Sequence, residues 1–137
     1  MNKVIWQGGM SFEAIPESGN RFVMDSSLGH GGENLGPSPL ETLICAAAAC
    51  SAIDVLDILQ KKRQTIESYR VEVQSERGPE GVWPRPITSM VIKHIVSGPN
   101  LSPEAVQRAV DLSDEKYCSI IATLRTEVQV KGVWEIG

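Results

Sequence analysis

The stretch Ser38-Pro39-Leu40-Glu41-Thr42-Leu43-Ile44-Cys45-Ala46-Ala47-Ala48-Ala49-Cys50 opens a helix and then leaves it almost without a polar face. Ser38 stands where an N-cap side chain accepts from first-turn amides, Pro39 suits the first helical position, and Glu41 reaches back to the N–H of the cap. Neither Gly nor Pro occurs from Leu40 to Arg63, so the helix is expected to run to about Arg63. A helix apolar all round is buried on all sides. The small side chains of Ala46 to Ala49 let another helix backbone come close, and in a short chain a second copy is the simplest source of one. That favours a homodimer with this helix near its centre. Gln60-Lys61-Lys62-Arg63-Gln64 turns the helix polar where cations suit the negative end of its dipole.

Upstream of the helix, extended segments around Val4–Trp6, Phe12–Ile15 and Arg21–Asp25 are separated by Gly8-Gly9 and by Pro16-Glu17-Ser18-Gly19-Asn20, which is the turn chemistry of a β meander. Gly29-His30-Gly31-Gly32-Glu33-Asn34-Leu35-Gly36 lacks the spacing of a nucleotide fingerprint and reads as a loop, with His30 solvated in it. Downstream, Tyr69, Val71 and Val73 alternate with polar residues. Met90, Ile92, His94 and Val96 form one row of a second strand, and the Pro- and Gly-bearing segment 78–86 is the loop between the two. Ser102-Pro103-Glu104 caps a second helix reaching about Glu115, and the alternation of Val128 and Val130 with Gln129 and Lys131 predicts a closing strand over Thr126–Trp134. The order β-β-β-α-β-β-α-β makes an α+β fold, an antiparallel sheet wrapped around a long central apolar helix, as a single domain over residues 1–137.

The totals exclude several classes. A net charge of −4 leaves no surplus of cations for a phosphate backbone, so no nucleic-acid partner is expected. The apolar run Leu43–Ile53 is broken by Ser51 and ended by Asp54, short of the roughly 20 residues that span a bilayer, so no membrane partner is expected either. Residues 1–9 carry no apolar core of a secretory signal, which makes the cytoplasm the expected location. There are 3 cysteines, none in a Cys-x-x-Cys pair, and 2 histidines, a set that argues against a disulfide framework, a zinc site or any other metal or cofactor. Trp6, Trp83 and Trp134 are scattered and read as packing or rim residues.

In a reducing compartment a cysteine is either an inert core residue or redox chemistry. Cys50 lies about three turns into the helix, too deep for the positive helix end to act on it, so it needs a cation or donor from elsewhere to serve as a nucleophile. Cys118, in Lys116-Tyr117-Cys118-Ser119, follows the second helix where a chain turning into a strand is more mobile. One rigid and one mobile cysteine fit a peroxidatic and a resolving thiol as well as two core residues. Cys45, roughly 140° from Cys50 around the helix, is expected in the core.

Three segments carry a resemblance: Gly32-Glu33-Asn34-Leu35-Gly36-Pro37-Ser38-Pro39-Leu40-Glu41-Thr42-Leu43, then Ala48-Ala49-Cys50-Ser51-Ala52-Ile53-Asp54-Val55, then Glu115-Lys116-Tyr117-Cys118-Ser119. Together they resemble the OsmC/Ohr family of thiol peroxidases, in its YhfA-like branch. The resemblance implies an intertwined α+β homodimer with active sites at the subunit interface. It implies reduction of organic hydroperoxides, with a dithiol or lipoyl-type reductant returning the disulfide to thiols. It also implies Cys50 as the peroxidatic residue and Cys118 as the resolving one. Members of the family pair the reactive cysteine with an Arg, held by a Glu directly after the helix-opening Pro. Leu40 occupies that place here. Glu41 is the nearest carboxylate, but it lies roughly 180° from Cys50 on an ideal helix and suits the cap as well as the site. Asp54, one turn beyond Cys50 on its face, is an alternative polar neighbour. Arg21, after the Gly19-Asn20 turn, is the N-terminal candidate for the Arg and equally an exposed strand charge. With these positions altered, a non-catalytic redox sensor or small-ligand-binding dimer stands beside the peroxidase.

Overall fold

Ser38 and Glu41 bind reciprocally: the Ser38 N–H donates to Glu41 Oε2 at 2.8 Å and the Glu41 N–H donates to Ser38 Oγ at 3.2 Å. That box starts helix α1, Pro39–Lys61, as its sequence dictates. The structure is a computed structural model and describes all 137 residues. It divides into two compact units, Met1–Ala46 and Ala47–Gly137, with the boundary inside α1.

In the first unit, β1 (Lys3–Gly8), β2 (Ser11–Ile15) and β3 (Phe22–Met24) form the expected antiparallel meander in the order β1-β2-β3. The Gly-rich stretch beyond a 3-10 turn at Leu28–His30 is tied down by Asp25, whose buried Oδ2 accepts from the N–H groups of Glu33 at 2.9 Å and Leu35 at 3.2 Å. Those donors, Glu33 first, hold the Asp25 carboxyl below its usual range. Two of the glycines are required by close approach. A Cβ on Gly32 would lie 1.5 Å from the Ser26 carbonyl oxygen, and one on Gly36 2.2 Å from that of Val23.

In the second unit, β4 (Ser68–Arg77) and β5 (Ile87–Ser97) form an antiparallel hairpin in which Tyr69 faces Val96, Val71 faces His94 and Val73 faces Ile92. The connecting loop closes on itself, with Gly78 N–H donating to the Pro86 carbonyl at 2.9 Å and Arg85 Nε donating to that of Gly78 at 2.7 Å. Helix α2, Pro103–Leu112, begins where Ser102 Oγ accepts from the Ala105 N–H at 3.2 Å. Val55 and Leu59 from α1 meet Ala109 from α2 in a fully buried cluster, surrounded by Ile58, Ile66, Tyr69, Val96, Val106 and Val110.

Two expectations fail. The residues after α2 form no approach to a strand. A π turn, Ser113–Tyr117, leads directly into a short helix α3, Ser119–Leu124, and Thr126–Trp134 takes no regular structure. Alternation specifies a strand only where a sheet edge receives it, and Val128, Val130, Val133 and Trp134 remain exposed. Nor is α1 buried all round. Its buried residues, Ala47, Ala48, Ser51, Val55 and Leu59, make one stripe, while Leu43 and Ile53 are exposed. At 23 residues, with a mean hydropathy of 1.9 over its most apolar window, α1 is long and apolar enough to cross a bilayer by length and composition alone. Its polar turn is nevertheless satisfied by protein groups of the second unit, which is how a core helix behaves.

Candidate functional site

The π turn decides where the later cysteine goes. Its closing bond runs from the Cys118 N–H to the Ser113 carbonyl at 2.9 Å, one residue wider than an α-helical bond. Cys118 then leaves the helical conformation, at φ −73° and ψ 105°, and caps α3, its Sγ accepting from the Ile121 N–H at 3.5 Å. The mobile position expected from the sequence is therefore a buried helix cap, only 3% exposed. Burial pushes the Cys118 thiol up from its ordinary value, the Ile121 N–H pulls it back, and the neighbouring Cys50 pushes it up again.

That neighbour is the central observation. The Cys50 and Cys118 sulfurs stand side by side, close enough for each to act on the other's thiol. The two sulfurs and a carboxylate oxygen of Asp54 all lie within 4.8 Å of one another. Cys50 is half-buried, and Asp54, one helical turn on, shares its face. Two sulfurs and one carboxylate are three donors where a closed structural zinc site takes four.

Behind Asp54 runs a polar chain that the sequence did not announce. Tyr69 Oη lies 2.6 Å from His94 Nδ1, His94 Nε2 lies 3.2 Å from Ser51 Oγ, Ser51 Oγ lies 3.2 Å from Ser113 Oγ, and Ser113 Oγ lies 3.2 Å from Asp54 Oδ2. Ser113 has one hydrogen and two acceptors, Asp54 Oδ2 at 3.2 Å and the Ser51 carbonyl oxygen at 3.3 Å, and with that hydrogen on Asp54 the links run in one direction. Ser113 donates to Asp54, so Ser51 must donate to Ser113. His94 must then donate to Ser51 from Nε2, and Tyr69 must donate to the bare Nδ1. Burial holds His94 below its ordinary value, which keeps the imidazole neutral as this direction requires. Burial likewise pushes the Tyr69 hydroxyl up to about 12, so it stays a donor. Ser51 and Ser113 are both buried, and these partners satisfy them.

The other candidates lie in the first unit, each beside a partner there. Glu41 Oε2 is held in the cap box by Ser38, and Arg21 Nη1 lies 3.8 Å from Glu13 Oε1 on the meander. Cys45 is exposed, against its expected place in the core, because the buried stripe of α1 passes it by. His30 Nδ1 lies 2.7 Å from Ser27 Oγ in its loop. The chain of Tyr69, His94, Ser51 and Ser113 leaves one signal in the sequence. His94 sits in an otherwise apolar inward row of β5, and Ser51 interrupts the apolar stretch of α1.

Comparison with known proteins identifies the family. The family model for OsmC-like proteins matches residues 30–132, which include both sulfurs, Asp54 and the whole polar chain. The protein YhfA of Escherichia coli K12 is 42% identical over 134 residues, covering 98% of this chain and 96% of that one. A crystal structure of a hypothetical protein from Aquifex aeolicus superposes with a TM-score of 0.76 at 26% identity, covering 91% of this chain and 86% of the other. An organic hydroperoxide resistance protein from Elizabethkingia anophelis shares the fold, with a TM-score of 0.65 at 15% identity, covering 91% of this chain and 88% of its own. With the cap box, the long helix bearing Cys50 and the late Cys118 all falling inside the matched region, this chain belongs to the OsmC family.

Proposed function

We propose that the protein is a thiol-dependent peroxidase that reduces organic hydroperoxides. The observation that carries this reading is the approach of the Cys50 and Cys118 sulfurs to within 4.8 Å, from residues far apart in sequence. In the proposed cycle the Cys50 thiolate attacks the outer peroxide oxygen. The O–O bond breaks, the alcohol leaves with a proton, and Cys50 becomes a sulfenic acid. Cys118 then displaces the hydroxyl as water and forms the Cys50–Cys118 disulfide. A dithiol of the lipoyl type reopens it by two exchanges, ending as a cyclic disulfide itself. The sulfurs need little travel, which favours disulfide formation over further oxidation of Cys50. The fold shared with a hydroperoxide resistance protein supports the choice of substrate class.

The working form proposed is a cytoplasmic homodimer. Leu43 and Ile53 on α1, and Val128, Val130, Val133 and Trp134 beyond α3, leave apolar surface exposed in the single chain, and a second copy is the simplest cover. Arg21 and Glu41 keep their proposed supporting roles. Their engagement with Glu13 and Ser38 favours, as a second reading, a redox sensor that forms the same disulfide without rapid turnover.

The test is turnover. Wild-type protein given tert-butyl hydroperoxide should consume dihydrolipoamide continuously, Cys50→Ser should consume none, and Cys118→Ser should accumulate a dimedone-reactive sulfenic acid. One disulfide per chain without continued consumption would move the assignment to the sensor. Wild-type thiols that survive the peroxide untouched would remove both readings.

A further inference from the structure

Closing the disulfide requires Cys118, a buried thiol, to lose a proton where water has little access. Building on the peroxidase reading, we infer that Asp54 is the base for this step. Its carboxylate takes the proton from Cys118 Sγ as that sulfur attacks Cys50, and returns it to the departing hydroxide. Three observations carry the assignment. A carboxylate oxygen of Asp54 lies within 4.8 Å of both sulfurs, the span of a direct contact after a small side-chain turn or of one bridging water. Ser113 Oγ, 3.2 Å from Asp54 Oδ2, holds the carboxylate on that side of α1. The chain Tyr69–His94–Ser51–Ser113 reaches Asp54 through the Ser113 hydroxyl, so the carboxylate is the acceptor at the end of a protein network rather than a solvent-held group.

The step balances. The Cys118 lone pair forms the S–S bond as the S–O bond of the Cys50 sulfenic acid breaks. The Cys118 proton passes to Asp54 and from there to the hydroxide, which leaves as water. Cys118 sulfur is oxidised, Cys50 sulfur is reduced, and Asp54 ends as it began. The resting geometry fits the same role. A carboxylate beside a thiol disfavours the thiolate, so Cys118 waits protonated and gives up its proton only as its electrons move into the new bond.

The base role can be read without peroxide, which separates it from the peroxidase assignment. In a Cys45→Ser background, one equivalent of DTNB places thionitrobenzoate on half-buried Cys50, and attack by Cys118 releases a second thionitrobenzoate, a leaving group that needs no proton. Asp54→Asn should slow this second release about 10²-fold near neutral pH, the usual scale of a lost general base. The gap should narrow as pH rises and hydroxide takes over. Asp54→Glu, which keeps a carboxylate, should recover most of the rate, and it also serves if the Asn variant misfolds. A second release as fast in Asp54→Asn as in its parent would overturn the inference, as would a deficit constant at every pH, which marks displaced sulfurs rather than a missing base. If the parent releases both groups with this Asp54 dependence but ignores hydroperoxide, the peroxidase reading falls and the base stands.

Discussion

Two adjacent turns of α1, both inside the second unit, have opposite chemistry. Cys50, Ser51 and Asp54 meet hydroxyls, an imidazole and a thiol, whereas Val55 and Leu59, immediately after them, meet only carbon. The apolar turn gains from burial itself, and a gap there costs transfer energy plus the cavity. The polar turn gains little net energy from each hydrogen bond, because water would supply the same, but any member left alone is penalised heavily. One turn therefore anchors α1 and the next orients reactive groups. The division predicts that damage to the first is felt as stability and damage to the second mainly as chemistry.

Leu59→Ala should have the largest effect. It should lower the free energy of unfolding by about 2–5 kcal/mol in urea titration, the range for a large aliphatic residue deleted from a fixed core. A loss under about 1 kcal/mol would mean that the cluster collapses freely and anchors nothing. Ser113→Ala comes next, at about 1–3 kcal/mol, because it leaves Ser51 with His94 alone and removes the donor to Asp54. A neutral result would show that the buried hydroxyls find other partners, and the directional chain would be wrong.

The smallest effect is a pH slope. His94 is held below 6.5 by burial, so as pH falls beneath 6.5 the unfolded chain takes up a proton that the folded protein refuses. Stability is thus lost from 6.5 down to the folded value and levels off below it. Urea midpoints measured across that window should fall more steeply for wild type than for His94→Gln. Parallel slopes would mean that His94 charges freely, which the chain from Tyr69 to Asp54 does not allow.

What could be read from the sequence was local. The starts of α1 and α2 were legible because Ser38, Pro39 and Glu41, and Ser102 and Pro103, act within one turn. The β4–β5 hairpin was legible because its inward row alternates through Tyr69, Val71, Met90, Ile92 and Val96. Cys50 and Cys118 were singled out by residue type and by family resemblance, and geometry supplied their contact. What stayed hidden depends on tertiary partners. Thr126–Trp134 has the alternation of a strand yet pairs with neither sheet. The shift from α2 into a π turn leaves no mark in Ser113-Asp114-Glu115-Lys116-Tyr117. His94, Ser51 and Ser113 look ordinary one at a time and acquire meaning only as neighbours.

That π turn sets the angular phase of everything after it. Winding these same five residues as regular α-helix, with no residue lost, would rotate the following side chain by about 100°. The thiol would then swing off the axis joining it to α1 while every other side chain of the pair stayed intact. One surplus backbone unit, contributing no chemistry of its own, thus works as the indexing tooth that keeps the two sulfurs in mesh.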